Sequence, residues 1–110
     1  MLQSIVTQNL AAIAEACRQH HVRTLHVFGS AVRNDFSPES DVDFVADFDL
    51  AKDGNSAASV FSFYDNKEAF RNRLATTLGR DVDVVELPLI RNRYLRYFIN
   101  QEKVLLYGEA

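Results

Sequence analysis

Residues 29–43, with the sequence GSAVRNDFSPESDVD, decide how this chain folds. The glycine and serine at 29 and 30 follow an apolar run (LHVF, residues 25–28), and a glycine turn lets the backbone approach a ligand closely. A helix that starts there would offer backbone N–H groups to a phosphate. Asp41 and Asp43 lie in the strand-like segment DVDFV, whose two-residue repeat puts both carboxylates on one face. Carboxylate oxygens at this spacing suit Mg²⁺, and nucleoside triphosphates bind together with Mg²⁺. A phosphate-binding turn next to two such carboxylates therefore predicts nucleotide chemistry.

The rest of the chain alternates between helical and strand patterns. Strand patterns, rich in β-branched and apolar residues, cover residues 22–28, 41–48 and 80–87. Helical patterns, with apolar residues three and four positions apart, cover residues 2–20, 59–78 and 90–101. We also expect a short helix at 30–34, a loop at 48–59, and a tail at 103–107 that docks as an edge strand or simply packs. The interleaving predicts an α/β (α+β) fold, a small mixed sheet with helices packed on one face.

Length and composition predict an ordinary globular protein. The 110 residues, 47% of them apolar and 25% charged, are expected to form one domain over residues 1–110. No apolar run approaches the ~18 residues of a membrane span, so we expect no membrane partner and a cytoplasmic location. A net charge of −3 argues against nucleic acid as a partner, because that affinity comes from neutralised phosphates. Cys17, the single cysteine, lies on an apolar helical face and is expected in the core.

The third strand pattern offers a further carboxylate. In-line nucleotidyl transfer needs metal ions to neutralise the phosphates and a base to activate the attacking hydroxyl. Asp81 and Asp83 share a face by the alternation of the strand, and Asp83 is the more interior of the two. We therefore expect Asp83 to complete the set of metal-binding, catalytic carboxylates with Asp41 and Asp43, and keep Asp81 as the alternative.

These residues together resemble a known family. Gly29-Ser30, ten intervening residues, Asp41-x-Asp43 and a later strand containing Asp83 resemble the minimal nucleotidyltransferases of the DNA polymerase β-like superfamily. The closest resemblance within it is to the MntA-type antitoxins that are paired with HEPN-domain toxins. The preceding helix and the ending EKVLLY (residues 102–107) are also similar, whereas residues 47–66 form a longer and more polar segment than the shortest members have.

The resemblance implies a function and a set of binding residues. It implies the cofactors Mg²⁺ and ATP, and transfer of AMP to a tyrosine of a cognate HEPN-domain toxin, which would silence that toxin. By the same likeness the nucleotide would be bound by Gly29, Ser30, Arg33 and Ser40. Two other hypotheses stay open: transfer to a small-molecule acceptor, for which related enzymes usually bring a further helical domain, and an antitoxin that acts by steric cover alone.

Several side chains have ordinary structural interpretations beside the functional ones. Arg33 is as well explained by a salt bridge to Asp35 or Glu39 as by a phosphate contact. The three histidines have no metal-site spacing and are expected at surface or boundary positions. The arginines of the last helix are expected on a solvated face, while its aromatic residues fit helical spacing and are expected in the core: Tyr94, Tyr97 and Phe98.

Overall fold

The computed structural model describes residues 3–33, 37, 39–49 and 57–108, and for residues 57–63 it describes the backbone only. Four α-helices are present in this part of the chain: α1 Ser4–Thr7, α2 Leu10–Gln19, α3 Ala57–Leu78 and α4 Arg93–Glu102. The strands are β1 Val22–Phe28, β2 Val42–Phe48, β3 Val82–Val85 and β4 Val104–Tyr107. Two short 3-10 turns, Gly29–Ala31 and Leu87–Leu89, follow β1 and β3. The expected loop at 48–59 falls largely on residues 50–56, which lie outside the described part.

The four strands form one mixed sheet in the order β3-β2-β1-β4. β1 pairs antiparallel with both β2 and β4, whereas β2 and β3 are parallel. The parallel pair is joined through the long helix α3, as a crossover between parallel strands requires. The predicted α+β class with a small mixed sheet is therefore confirmed, and the tail after α4 is an edge strand.

One face of the sheet packs against α2 and α3 to form the core. Alternate residues of β2, Val42, Phe44 and Ala46, point into this core together with Phe70 and Leu74 of α3. The same alternation sends Asp43, Val45 and Asp47 to the opposite face. Cys17 is fully buried among the core residues, as predicted, and burial raises the pKa of its thiol to about 12. The core thus fixes which side of β2 carries the acidic residues.

The first helical pattern is interrupted at residues 8 and 9. The sequence predicts one helix over residues 2–20, but the structure has a single turn, α1, and a separate helix, α2. Asn9 stands between them, and its side-chain amide donates a hydrogen bond to the carbonyl of Ile5 at 2.7 Å. Asparagine competes for backbone groups in this way, which explains the interruption. Leu2, part of the predicted pattern, lies outside the described residues.

The last helix begins later than predicted because of its cap. Asn92 accepts hydrogen bonds from the backbone N–H of Tyr94 and of Leu95, at 3.0 and 3.2 Å, so the helix begins at Arg93 rather than at residue 90. β3 is also shorter than predicted, because the 3-10 turn containing Pro88 follows Val85 after one residue. Helix α3 ends at a glycine cap, Gly79, whose φ of +66° is the left-handed conformation that glycine adopts readily.

The predicted burial of the aromatic residues of α4 is wrong. Tyr94, Tyr97 and Phe98 are 65%, 58% and 63% exposed, and Ile99 is the buried residue of this helix. Helical spacing identifies residues that share a face but does not say what covers that face. The prediction that His26 lies at a surface or boundary position is also wrong, because the residue is buried and only 9% exposed. No described helix has the length and apolar character to span a membrane.

Candidate active site

The turn after β1 is built around a glycine that no other residue can replace without strain. Gly29 has φ +75°, a conformation that L side chains rarely adopt. A Cβ at this position would lie 2.5 Å from Oδ2 of Asp43 on the neighbouring strand. The carbonyl of Gly29 accepts hydrogen bonds from the N–H groups of Val32 and Arg33, at 3.0 and 3.2 Å. The glycine is therefore the residue that lets the acidic strand approach the turn.

Strand pairing brings the acidic residues of two strands together. Asp43 of β2 is the register partner of Asp83 of β3, and because the pair is parallel the two side chains project from the same face. Asp41 lies exposed just before β2, where the N–H of the next residue, Val42, bonds to the carbonyl of Asp81 at 2.9 Å. Asp43 is half-buried and Asp83 is exposed. Asp41, Asp43 and Asp83 thus gather at one end of the parallel strand pair.

Asp43 is held in an environment that disfavours its charge. Burial, followed by the neighbouring carboxylates of Asp83, Asp41 and Glu102, raises its pKa to about 6, while Arg33 acts in the opposite direction. In the described part of the chain, no donor makes a hydrogen bond to the Asp43 carboxylate. A half-buried acid surrounded by acids and without a donor is stabilised by a bound cation.

Glu102, at the end of α4, fastens the glycine turn. Its Oε1 accepts a hydrogen bond from the backbone N–H of Gly29 at 2.8 Å. Its carboxylate also pairs with the guanidinium of Arg33 at 3.0 Å. No local sequence pattern indicates this role, although Glu102 begins the EKVLLY ending that carries part of the family resemblance. Arg33 therefore forms a salt bridge, but with a residue 69 positions away rather than with Glu39; Asp35 lies outside the described residues.

Ser30 and Ser40, the two serines predicted to bind the nucleotide, have different surroundings in the structure. In the described part of the chain, neither the N–H nor the hydroxyl of Ser30 makes a hydrogen bond, so both are available to a ligand beside Gly29. The hydroxyl of Ser40 accepts a bond from the N–H of Ser37 at 2.9 Å and lies 3.1 Å from the Ser37 hydroxyl. The carbonyl of Ser37 also accepts a bond from Arg80. These contacts make Ser40 a part of the turn that leads into Asp41.

Two open clefts flank the carboxylates. One, of about 490 Å³, is lined by residues that include Asp41 and Asp81. The other, of about 480 Å³, lies between β3 and α3 and is lined by Asp83 with two cations of α3, Lys67 and Arg71. The sequence pattern assigns no function to these two cations, because Lys67 only interrupts the apolar face of α3 and Arg71 is typical of a solvated helix face. The clefts leave both strands open to ligands at their acidic end.

The donor set fits a divalent cation. Within the described ranges, no three carboxylate, imidazole or thiol side chains already form a ready-made metal cage. The fit rests instead on chemistry: hard carboxylate oxygens from two paired strands, with the half-buried Asp43 lacking any hydrogen-bond donor. The residues that would hold such an ion are Asp41, Asp43 and Asp83.

Comparison with known proteins places the chain in a family. A family model described as polymerase beta, nucleotidyltransferase matches residues 11–110. The chain therefore belongs to the polymerase beta-type nucleotidyltransferase family, and the predicted family and enzyme class are confirmed. Nucleotidyl transfer is the reaction of this class, so the chain uses a nucleotide. No curated protein matches the chain in a sequence comparison.

Solved structures share the fold at low sequence identity. A candidate minimal nucleotidyltransferase is 23% identical with a TM-score of 0.71, over 94% of this chain and 95% of that one. A toxin-antitoxin structure with AMP-PNP is 20% identical with a TM-score of 0.64, over 92% and 74%. A tri-AMPylated Shewanella oneidensis HEPN toxin in complex with MNT antitoxin gives 19% and 0.58, over 94% and 72%. At these identities the likeness establishes the fold.

Proposed function

We propose that this protein transfers AMP from ATP to a tyrosine hydroxyl of a cognate HEPN-domain toxin and thereby neutralises the toxin. The single observation that carries the proposal is the contact between the Gly29-Ser30 turn and the strand that carries Asp43. The Gly29 turn packs directly on Asp43, whose register partner is Asp83, so a triphosphate at the turn and a cation at the carboxylates would be neighbours. This juxtaposition suits nucleotidyl transfer.

The reaction assigns a role to each side chain. The tyrosine oxygen forms a bond to the α-phosphorus of ATP while the bond from that phosphorus to the bridging oxygen breaks, releasing pyrophosphate. Ser30 would donate its N–H and hydroxyl to the phosphates, and Asp83 would accept the proton of the tyrosine hydroxyl. Asp41, Asp43 and Asp83 would together hold Mg²⁺, which would neutralise the charge of the triphosphate when bound.

The remaining predicted nucleotide-binding residues would act around this centre. The guanidinium of Arg33 places a positive charge at the glycine turn, and its salt bridge with Glu102 would orient the turn beside the phosphates. The N–H of Gly29 already donates to Glu102, so the glycine would contribute close approach rather than this donor. Ser40 would position Asp41 through its bonds to Ser37. We place this activity in one domain, residues 1–110, and in the cytoplasm, where ATP is supplied.

Structural relatives of the chain support a HEPN-domain protein as the acceptor. Among proteins that share this fold, one complex contains AMP-PNP, and another contains a tri-AMPylated HEPN toxin with an MNT antitoxin. Open clefts lie beside Asp41 and Asp83 and leave room for a macromolecule to present a hydroxyl. This arrangement is consistent with transfer of AMP to a HEPN-domain protein.

The test is transfer of a label from ATP to the partner. The chain is incubated with Mg²⁺ and the HEPN-domain protein of the same genome, using ATP labelled on the α-phosphate or on the γ-phosphate. We expect label on the partner from α-labelled ATP and none from γ-labelled ATP, because AMP rather than phosphate is transferred. The double variant Asp41→Ala/Asp43→Ala should lose the label, whereas Asp47→Ala, a control on the same strand, should keep it.

Three outcomes would contradict the proposal. Label on a small acceptor alone would point to a small-molecule transferase. Neutralisation of the toxin by the Asp41→Ala/Asp43→Ala variant at full strength would point to steric cover. Equal labelling by the wild type and the double variant would show that Asp41 and Asp43 are not needed for transfer.

A further inference from the structure

Helix α4 carries an exposed aromatic surface that the fold itself does not use. Tyr94, Tyr97 and Phe98 are each more than half exposed, and Leu95 is 48% exposed. The Tyr97 and Phe98 rings pack edge to face with centroids 5.6 Å apart, and Tyr94 lies three and four residues before them, on the same side of the helix. Their exposed area is on the order of 400 Å², since each such side chain carries roughly 150–250 Å². On a monomer, a contiguous apolar patch of this size is often functional.

The rim of this surface is positively charged. Arg91, Arg93 and Arg96 lie on or just before the same helix, and within the part of the chain that the structure describes no carboxylate pairs with any of them. The guanidinium of Arg93 lies 5.2 Å from the centroid of the Tyr94 ring, which holds it at the edge of the aromatic surface. The chain as a whole has a net charge of −3, so this cationic rim is a local feature.

The aromatic surface leads directly to the candidate active site. Tyr94, Phe98 and Glu102 are spaced four residues apart and therefore form one ridge along α4. Glu102 ends the ridge and accepts the hydrogen bond from the N–H of Gly29 at 2.8 Å. A rise of about 6 Å along the helix separates Phe98 from Glu102, the residue that contacts the glycine turn. A molecule bound on the ridge would consequently reach the site where the nucleotide is expected.

We infer that the aromatic ridge of α4 is the docking surface for the protein that receives the nucleotidyl group, and that this protein offers an apolar surface rimmed by acidic residues. The inference rests on the proposed function and identifies how the acceptor is held. A specific interface needs about 800 Å² from each partner, roughly twice the aromatic area. The contact therefore extends beyond the ridge, and the glycine turn next to Glu102 is the adjoining surface that would bring an acceptor hydroxyl to the carboxylates.

The positive charge of the rim distinguishes between two possible occupants of the ridge, a second copy of this chain and a different protein. In a two-fold dimer of this chain the same patch would face itself, bringing the three arginines of one copy against the three of the other. Like charges opposed across an interface are unfavourable, whereas acidic groups on a different protein would pair with all three. The acidic partner is therefore the occupant that the ridge fits.

The experiment measures partner binding and transfer separately. Affinity for the HEPN-domain protein is measured by titration calorimetry for the wild type, Tyr94→Ala/Phe98→Ala, and Leu10→Ala, which truncates an exposed apolar residue of α2. We expect the double variant to bind at least about 30-fold more weakly and the control to bind like wild type. Arg93→Glu/Arg96→Glu should weaken binding and reduce its dependence on salt, whereas Arg73→Glu on α3 should not.

Readouts on the chain alone separate this inference from the proposed function. Stabilisation by Mg²⁺-ATP should be the same for the wild type and Tyr94→Ala/Phe98→Ala, because these two side chains, unlike Glu102, are not part of the proposed nucleotide site. Wild-type affinity of the double variant would overturn the docking surface while leaving AMP transfer standing. Binding through the ridge without transfer of label would overturn the proposed function and leave the docking surface standing. A wild-type chain that is dimeric alone and monomeric as Tyr94→Ala/Phe98→Ala would show that a second copy occupies the ridge, and would also overturn the inference.

Discussion

Replacing Asp43 by asparagine should stabilise the metal-free protein above neutral pH. In the folded chain burial and the neighbouring carboxylates raise the pKa of Asp43 to about 6, against a usual value of 3.8. The folded state therefore keeps a proton that the unfolded chain releases between about pH 4 and pH 6, so the free energy of unfolding falls as pH rises through this window. Below about pH 4 both states bind the proton and the penalty disappears.

The size of the effect follows from the two pKa values. Their difference corresponds to about 3 kcal/mol. Asp43 is only half-buried, so solvent screening reduces the expected penalty to about 1.5 kcal/mol. The Asp43→Asn variant keeps the shape of the side chain and removes its charge. At about pH 7.5 it should unfold with a free energy higher by about 1.5 kcal/mol, or a Tm higher by on the order of 8 °C.

The assay is urea unfolding followed by circular dichroism in the presence of a metal chelator, repeated between about pH 4 and pH 7.5. The wild type should lose stability along this range relative to Asp43→Asn, and the two should converge at the acidic end. Asp47→Asn is the matched control, because Asp47 lies on the same strand face in an exposed salt bridge with Arg23 and should change stability by less than about 1 kcal/mol. Parallel pH profiles for the wild type and Asp43→Asn would refute the electrostatic account of the site.

Three further substitutions test the geometry of the site. Gly29→Ala would place a Cβ 2.5 Å from Oδ2 of Asp43 at φ +75°, so we expect more than a 100-fold loss of label transfer, about two orders of magnitude, and destabilisation by about 1–2 kcal/mol in urea unfolding; wild-type activity would contradict this. Glu102→Ala removes the acceptor of the Gly29 N–H and should lower kcat/KM for ATP about 10-fold, with partial recovery in Glu102→Gln, while full activity of the alanine variant would show that the brace is dispensable. Asp83→Ala should reduce kcat at least about 100-fold whereas Asp81→Ala leaves it within about 3-fold; the reverse order in steady-state kinetics would make Asp81 the third carboxylate.

The part of the fold that short-range patterns control was accessible from the sequence. The alternation in β2 places Val42 and Phe44 in the core and sends Asp43 to the other face, so the side of the sheet that carries the acids follows from periodicity alone. The pairing of Asp43 with Asp83 also follows, once two acidic strands are assumed to be parallel neighbours. These are the features on which the family resemblance depends.

Features that depend on tertiary contacts were not accessible in this way. The bond from Gly29 to Glu102 joins residues 73 positions apart, and nothing local in either segment specifies it. The exposure of Tyr94 and Phe98 is likewise a property of what the rest of the chain leaves uncovered, because a helix pattern reports a face and not its neighbour. The break at Asn9 depended on one side-chain hydrogen bond that competes with the helix.

The central claim is that carboxylates on two paired strands share a divalent ion beside the glycine turn. Its most direct test is a crystal structure of the chain with Mn²⁺ and a non-hydrolysable ATP analogue, in which anomalous scattering locates the metal. The account predicts an anomalous peak at about 2.1 Å from carboxylate oxygens of Asp43 on β2 and Asp83 on β3, with the triphosphate at Ser30. A metal bound away from Asp43, or a triphosphate far from the glycine turn, would contradict it.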